Sequence, residues 1–113
     1  MKKWINYEFE SSCSKTPEFV AFARDFKRFV KKALPYGAEL VKWNVGHFYV
    51  SGFVKKNDKY VYFETSDVRF FPNTWFTNLL IRTAQHVKDY TGGANTYTAL
   101  DEFAVNAENL FSR

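Results

Sequence analysis

Acid, base and cation side chains recur in two short stretches, "SDVR" and "RTAQHVKD". They supply Asp67, Arg69, Arg82, His86, Lys88 and Asp89. Gathered at one end of a sheet, such a set could place an acid, a base and a cation around a phosphodiester, as hydrolysis requires. The simpler reading is that Asp67 with Arg69, and Arg82 with Asp89, are ion pairs and loop hydrogen bonds that pin the connections. Charged groups cluster for structural reasons as readily as for chemical ones.

Three other chemistries are weaker. The ligand-capable residues His47, His86 and Cys13 lack the paired His or Cys spacing that metal sites use. His47, beside a glycine turn, is better placed for a hydrogen bond. Cys13 lies among serines, with nothing nearby in sequence to lower its pKa and make it a nucleophile. The "TGGANT" segment invites comparison with a phosphate loop, but no Gly-Lys-Ser/Thr follows and the helix starts further on. Adjacent glycines in a polar loop serve a turn that needs positive φ. No cofactor and no metal is expected.

The clearest chemical signal is electrostatic. At about 100° per residue, Arg24, Lys27, Arg28 and Lys31 fall opposite an apolar stripe, with Lys32 beside them. From Lys15 to Lys32, six basic and two acidic residues sum to +4, the net charge of the whole chain. Either this is an ordinary solvated helix face, or it is a patch for phosphate or acidic protein. The aromatic loop "RFFPNTWF", with Phe70, Phe71, Trp75 and Phe76, is the second candidate, because loops run over the surface. Trp43, Tyr49, Tyr60 and Tyr62 add to an aromatic content beyond what a one-sided sheet buries, and some of these rings could form a stacking platform.

These groups need elements to position them. "WINYEFE" alternates as a strand. Thr16 as N-cap and Pro17 at the first position open a helix over 17–34, whose stripe is Phe19, Phe22, Ala23, Phe26, Val30 and Ala33. Pro35 and Gly37 end it. "AELVKWN", "HFYVSGFV", "KYVYFETS" and "LLIRTAQ" read as strands, with turns around Val45–Gly46 and in "KKND". "HVKDYTGGAN" is a polar loop. A last helix over 98–111 begins near Thr98, with Asp101 completing an approximate capping box, and buries Leu100, Phe103, Ala104, Ala107 and Phe111. The expectation is one α+β domain over residues 1–113. It is an antiparallel β-meander of four to five strands with two helices packed on one face.

The chain of 113 residues is 46% hydrophobic and 20% aromatic, which suits a folded domain and excludes a disordered tail. No apolar run is long enough for a membrane span, and no apolar signal region follows the basic start. A single cysteine agrees with a reducing compartment, so a cytoplasmic protein is expected. A pI near 9.2 excludes a DNA mimic, which would be strongly acidic.

The runs "KTPEFVAFARDFK", "VKWNVGHFYVSGF", "KYVYFETSDVRFF" and "LIRTAQHVKDYTGG" resemble small proteins of Firmicutes plasmids and conjugative elements. That pool includes anti-CRISPR inhibitors of type II systems. The resemblance implies a compact, cofactor-free inhibitor whose partner is Cas9 or the Cas9–guide RNA complex. Surface occlusion or interference with guide-RNA loading fits a basic chain better than DNA mimicry does. It brings no site residues with it. Two alternatives stay open: a nucleic-acid-binding accessory protein that contacts RNA or single-stranded DNA, and a small nuclease using Asp67, Arg69, His86 and Asp89.

Overall fold

The computed structural model describes residues 17–46, 49–65, 79–90 and 93–112. The expected strand in 4–10, Thr16, Cys13, His47, the loop around Phe70 to Phe76, and Asp67 with Arg69 lie outside the described residues. Helix α1 (Pro17–Lys32) leads into β1 (Glu39–Val45), β2 (Val50–Lys56), β3 (Lys59–Glu64), β4 (Leu79–Ala84) and β5 (Thr96–Thr98). One 3₁₀ turn, Leu100–Glu102, then opens α2 (Phe103–Phe111). The five strands pair in sequence order, every pair antiparallel, so the domain is the expected α+β meander. Among the described residues, no helix is long and apolar enough to cross a membrane.

Helix α1 forms because its phenylalanines recur at helical spacing. Phe19, Phe22 and Phe26 are wholly buried, and their rings stack in sequence at 5.8 and 5.6 Å. Lys31 and Lys32 occupy its last turn, where they complement the negative end of the dipole. Gly37, at φ 86°, turns the chain back toward β1 in the left-handed region that glycine tolerates.

Alternate strand residues point to the two sides of the sheet. Val50 and Val54 of β2, Val61 and Phe63 of β3, and Leu79 and Ile81 of β4 meet the helices in a single core. Phe103, Ala107, Leu110 and Phe111 of α2 close that core from above. Each fully buried side chain of this size contributes about 1.5–3 kcal/mol. The end of β3 is tied back to β2 twice. Thr65 donates its N–H to the Val50 carbonyl at 2.9 Å, and its Oγ1 accepts the Val50 N–H at 3.0 Å.

Several boundaries differ from expectation: α1 ends at Lys32, short of residue 34, and β2 runs on to Lys56. Thr96–Thr98 is a strand, not loop, because it pairs with Leu79–Ile81 at the sheet edge. The last helix accordingly starts later, at Phe103 after the 3₁₀ turn, and neither start carries a side-chain cap. The Thr98 hydroxyl instead donates to the Ala99 carbonyl at 2.9 Å and accepts from Asn106 Nδ2 at 2.6 Å. It staples the strand end to α2 instead of capping it.

The excess of aromatics has a structural outlet. The sheet face away from the helices has its own buried row, in which Arg82, Tyr62 and Phe53 stand opposite one another on β4, β3 and β2. Tyr90, from the segment after β4, sets its ring edge against Phe53 and Tyr62 at 5.4 and 5.8 Å. Its hydroxyl accepts from Asn44 Nδ2 on β1 at 3.3 Å.

Candidate functional site

Burying Phe19, Phe22, Phe26 and Val30 fixes the rotation of α1, and that rotation decides where its cations go. Arg24, Arg28, Lys31 and Lys32 are exposed. Asp25 lies among them, with its Oδ1 3.4 Å from both Arg24 Nε and Arg28 Nη1. The two arginine side chains are 64% and 62% exposed, so these long contacts are weak and leave most guanidinium donors directed at solvent. Arginine's planar fork suits carboxylate and phosphate equally well.

Lys27 departs from expectation. It stands only about a quarter-turn from the buried stripe, on the flank facing β1. Its Nζ lies 5.9 Å from the Trp43 ring centroid, within cation–π reach, and the residue is half-buried. Trp43 packs in turn on Phe26 and Phe63 at 6.1 Å from each. Lys27 therefore belongs to the helix–sheet seam, and the outer face consists of Arg24, Arg28, Lys31 and Lys32.

The opposite sign collects on the other helix. Asp101 and Glu102 are exposed at the start of α2. Glu108, further along, receives Lys56 Nζ at 2.6 and 2.8 Å, an ion pair that ties α2 to β2.

The acid–base group is only partly described. Arg82 donates from Nη2 to the Asp89 carbonyl at 2.8 Å and from Nη1 to the Thr83 carbonyl at 3.3 Å. The Asp89 carboxylate accepts the Gln85 N–H at 2.9 Å, and His86 Nδ1 accepts the Lys88 N–H at 3.2 Å. Each described member is thus engaged in shaping the turn after β4. Gly93 in that segment takes φ 68°, and a Cβ there would stand 2.7 Å from the Thr83 carbonyl oxygen. Among the described residues no three His, Cys, Asp or Glu side chains gather as a metal site would need.

One polar group was not legible beforehand. The Tyr62 hydroxyl donates to Glu64 Oε1 at 2.7 Å. Burial, followed by that hydrogen bond and the carboxylate's charge, raises the phenol's pKa well above its ordinary value; Ser51 and Arg82 pull more weakly the other way. The i, i+2 spacing of Tyr62 and Glu64 on a strand was the available signal. The partner loop candidates Phe70, Phe71 and Trp75 lie outside the described residues. No protein-family model, curated protein or solved structure matches this chain.

Proposed function

We propose that this chain is a non-enzymatic binding protein that uses the outer face of α1 to hold an acidic surface. Following the resemblance to mobile-element proteins, the proposed partner is Cas9, free or with guide RNA. Inhibition would come from covering a surface or from interfering with guide-RNA loading. The observation that carries the reading is the sorting of charge by element. Arg24, Arg28, Lys31 and Lys32 are exposed on one helix with Asp25 among them, while Asp101 and Glu102 are exposed at the start of the other. A merely solvated helix needs polar residues outside, but it does not need them nearly all of one sign. The binding reading is also supported by the engagement of Arg82, His86 and Asp89 in turn hydrogen bonds.

The test is affinity for Cas9, for Cas9 with guide RNA, and for guide RNA and unrelated RNA alone, across a salt series. The comparison is between wild type and an Arg24→Glu, Arg28→Glu, Lys31→Glu variant. Loss of Cas9 binding in the folded variant, mainly through slower association, supports the proposal. Binding to any RNA, with a log–log salt slope that falls by about one per lost phosphate contact, would replace it with the nucleic-acid accessory reading. Unchanged affinity at low salt would reduce the face to solvated surface. Cleavage of RNA or DNA by the pure protein, with or without Mg²⁺, would overturn the non-enzymatic reading.

A further inference from the structure

The two helices do not close over the core completely. A cleft of about 380 Å³ separates them, walled by Phe29, Ala33 and Leu34 on one side and by Leu100 and Ala104 on the other. A second hollow of about 460 Å³ shares Ala104 and continues past Pro35, Tyr36 and Val105. Large apolar side chains meet water along this trough: Tyr36 is 96% exposed, Val105 65% and Phe29 39%. A contiguous apolar strip with a polar rim marks an association surface.

The rim identifies the occupant. Lys32 borders the cleft from α1, and Asp101 borders it from the α2 side, with exposed Glu102 next to it. A uniformly acidic polypeptide drawn to Lys32 would be repelled by Asp101 and Glu102. A nucleic acid would meet the same carboxylates and would gain little from aliphatic walls. A second copy of this chain, turned about a two-fold axis, offers the same two charges in the opposite order. Such a surface is self-complementary, as an isologous contact requires.

We propose that the chain forms a two-fold dimer, trough against trough, with Lys32 of each copy facing Asp101 of the other. The apolar centre, with Tyr36 and Val105, supplies the burial, and the two charge pairs set the register. This pairing shares Lys32 with the outer face but uses neither Arg24, Arg28 nor Lys31, the three positions whose reversal tests the binding role, so self-association of that triple variant separates the two.

The experiment is light scattering and sedimentation of the pure protein over a concentration series, with no partner present. Wild type should show the mass of two chains at high concentration and dissociate on dilution. Val105→Glu, and separately Tyr36→Ser, should be folded by circular dichroism and shifted to monomer. Lys32→Glu and Asp101→Lys should each weaken self-association by about tenfold or more, because each brings like charges together twice. An equimolar mixture of those two variants should restore the dimer, since each then meets its opposite. Three results would overturn the proposal: a monomeric wild type at every soluble concentration, a folded Val105→Glu variant still dimeric, or a charge-variant mixture that stays monomeric.

Discussion

Arg82 and Tyr62 stand opposite each other on β4 and β3, with the guanidinium carbon 4.4 Å from the centroid of the tyrosine ring. The cation covers the ring face while the phenol, at the ring's far end, donates to Glu64. Burial first, and then the hydrogen bond to Glu64, make the folded chain hold the Tyr62 proton to higher pH than the unfolded chain, which releases it near pH 10; the Arg82 cation pulls more weakly the other way. Tyr62's contribution is thus fully present below about pH 10 and is lost as the pH rises beyond it. Tyr62→Phe should cost about 1.5–3 kcal/mol at neutral pH, typical of a hydrogen bond to a charged group. That deficit should shrink above about pH 10, because only wild type loses stability there through this residue. Urea unfolding between about pH 8 and 11 checks this; parallel profiles for the two proteins would refute it.

Arg82 is only 4% exposed, and its hydrogen bonds go to the carbonyls of Thr83 and Asp89. Arg82→Met keeps much of the stem but leaves those acceptors short of a donor. The expected cost is about 1–3 kcal/mol. Arg82→Lys should recover little of it, because an ammonium cannot lie flat on the ring and reach both carbonyls. Amide exchange in residues 85–90 should quicken in both variants. Wild-type protection there would show that the guanidinium does not hold the turn.

Phe26 and Phe103 are both fully buried and reach the core from different helices. Phe26 meets Trp43 of β1, and Phe103 meets Phe63 of β3 edge-on at 5.9 Å. Truncating either to alanine should destabilise by about 3–5 kcal/mol. The check is thermal or chemical unfolding of the two variants, where unchanged midpoints would contradict the packing.

How much of this was readable beforehand followed the range of the interactions. The core of α1 was legible because Phe19, Phe22, Phe26 and Val30 declare their face through local spacing. Residues Thr96–Thr98 gave no such signal: three residues with two threonines become a strand only by pairing with Leu79–Ile81. The outward cations Arg24, Arg28 and Lys31 followed from the same helical geometry, whereas Lys27 is claimed by a tryptophan that the helix sequence alone cannot locate. The second buried row was least accessible, because it joins β1 to the segment after β4 through Asn44 and Tyr90.

Gly52 lies between Trp43 and Phe63 in the strand register, and those two rings approach each other across it. A Cβ there would stand 2.8 Å from Phe63 Cζ and would also collide with the Lys42 carbonyl oxygen. Both obstacles are inside the packed seam, and one is backbone. Gly52→Ala should therefore destabilise, despite alanine's smaller loss of backbone entropy, and Gly52→Val should do so more severely. Equilibrium unfolding of the pair gives the order; a stabilised Gly52→Ala protein would show that β1 can retreat at no cost.

Lys27 and Arg28 are neighbours in sequence with opposite situations, and alanine at each should separate them. Arg28 is exposed and makes one long contact to Asp25, so Arg28→Ala should shift stability by less than about 0.5 kcal/mol. Lys27 is half-buried with its ammonium over the Trp43 ring, so Lys27→Ala should cost about 0.5–1 kcal/mol through lost burial of its stem and lost cation–π attraction. Its removal should also open one side of the indole to water and move tryptophan emission to longer wavelength. Arg28→Ala should leave emission unchanged. Lys27→Met discriminates further, because it keeps the stem and removes only the charge. Recovery of most of the stability in that variant would identify packing as the larger share, and no recovery would assign it to the cation over the ring. Identical unfolding and emission for Lys27→Ala and Arg28→Ala would return Lys27 to the solvated face, and the outer patch would then again include it.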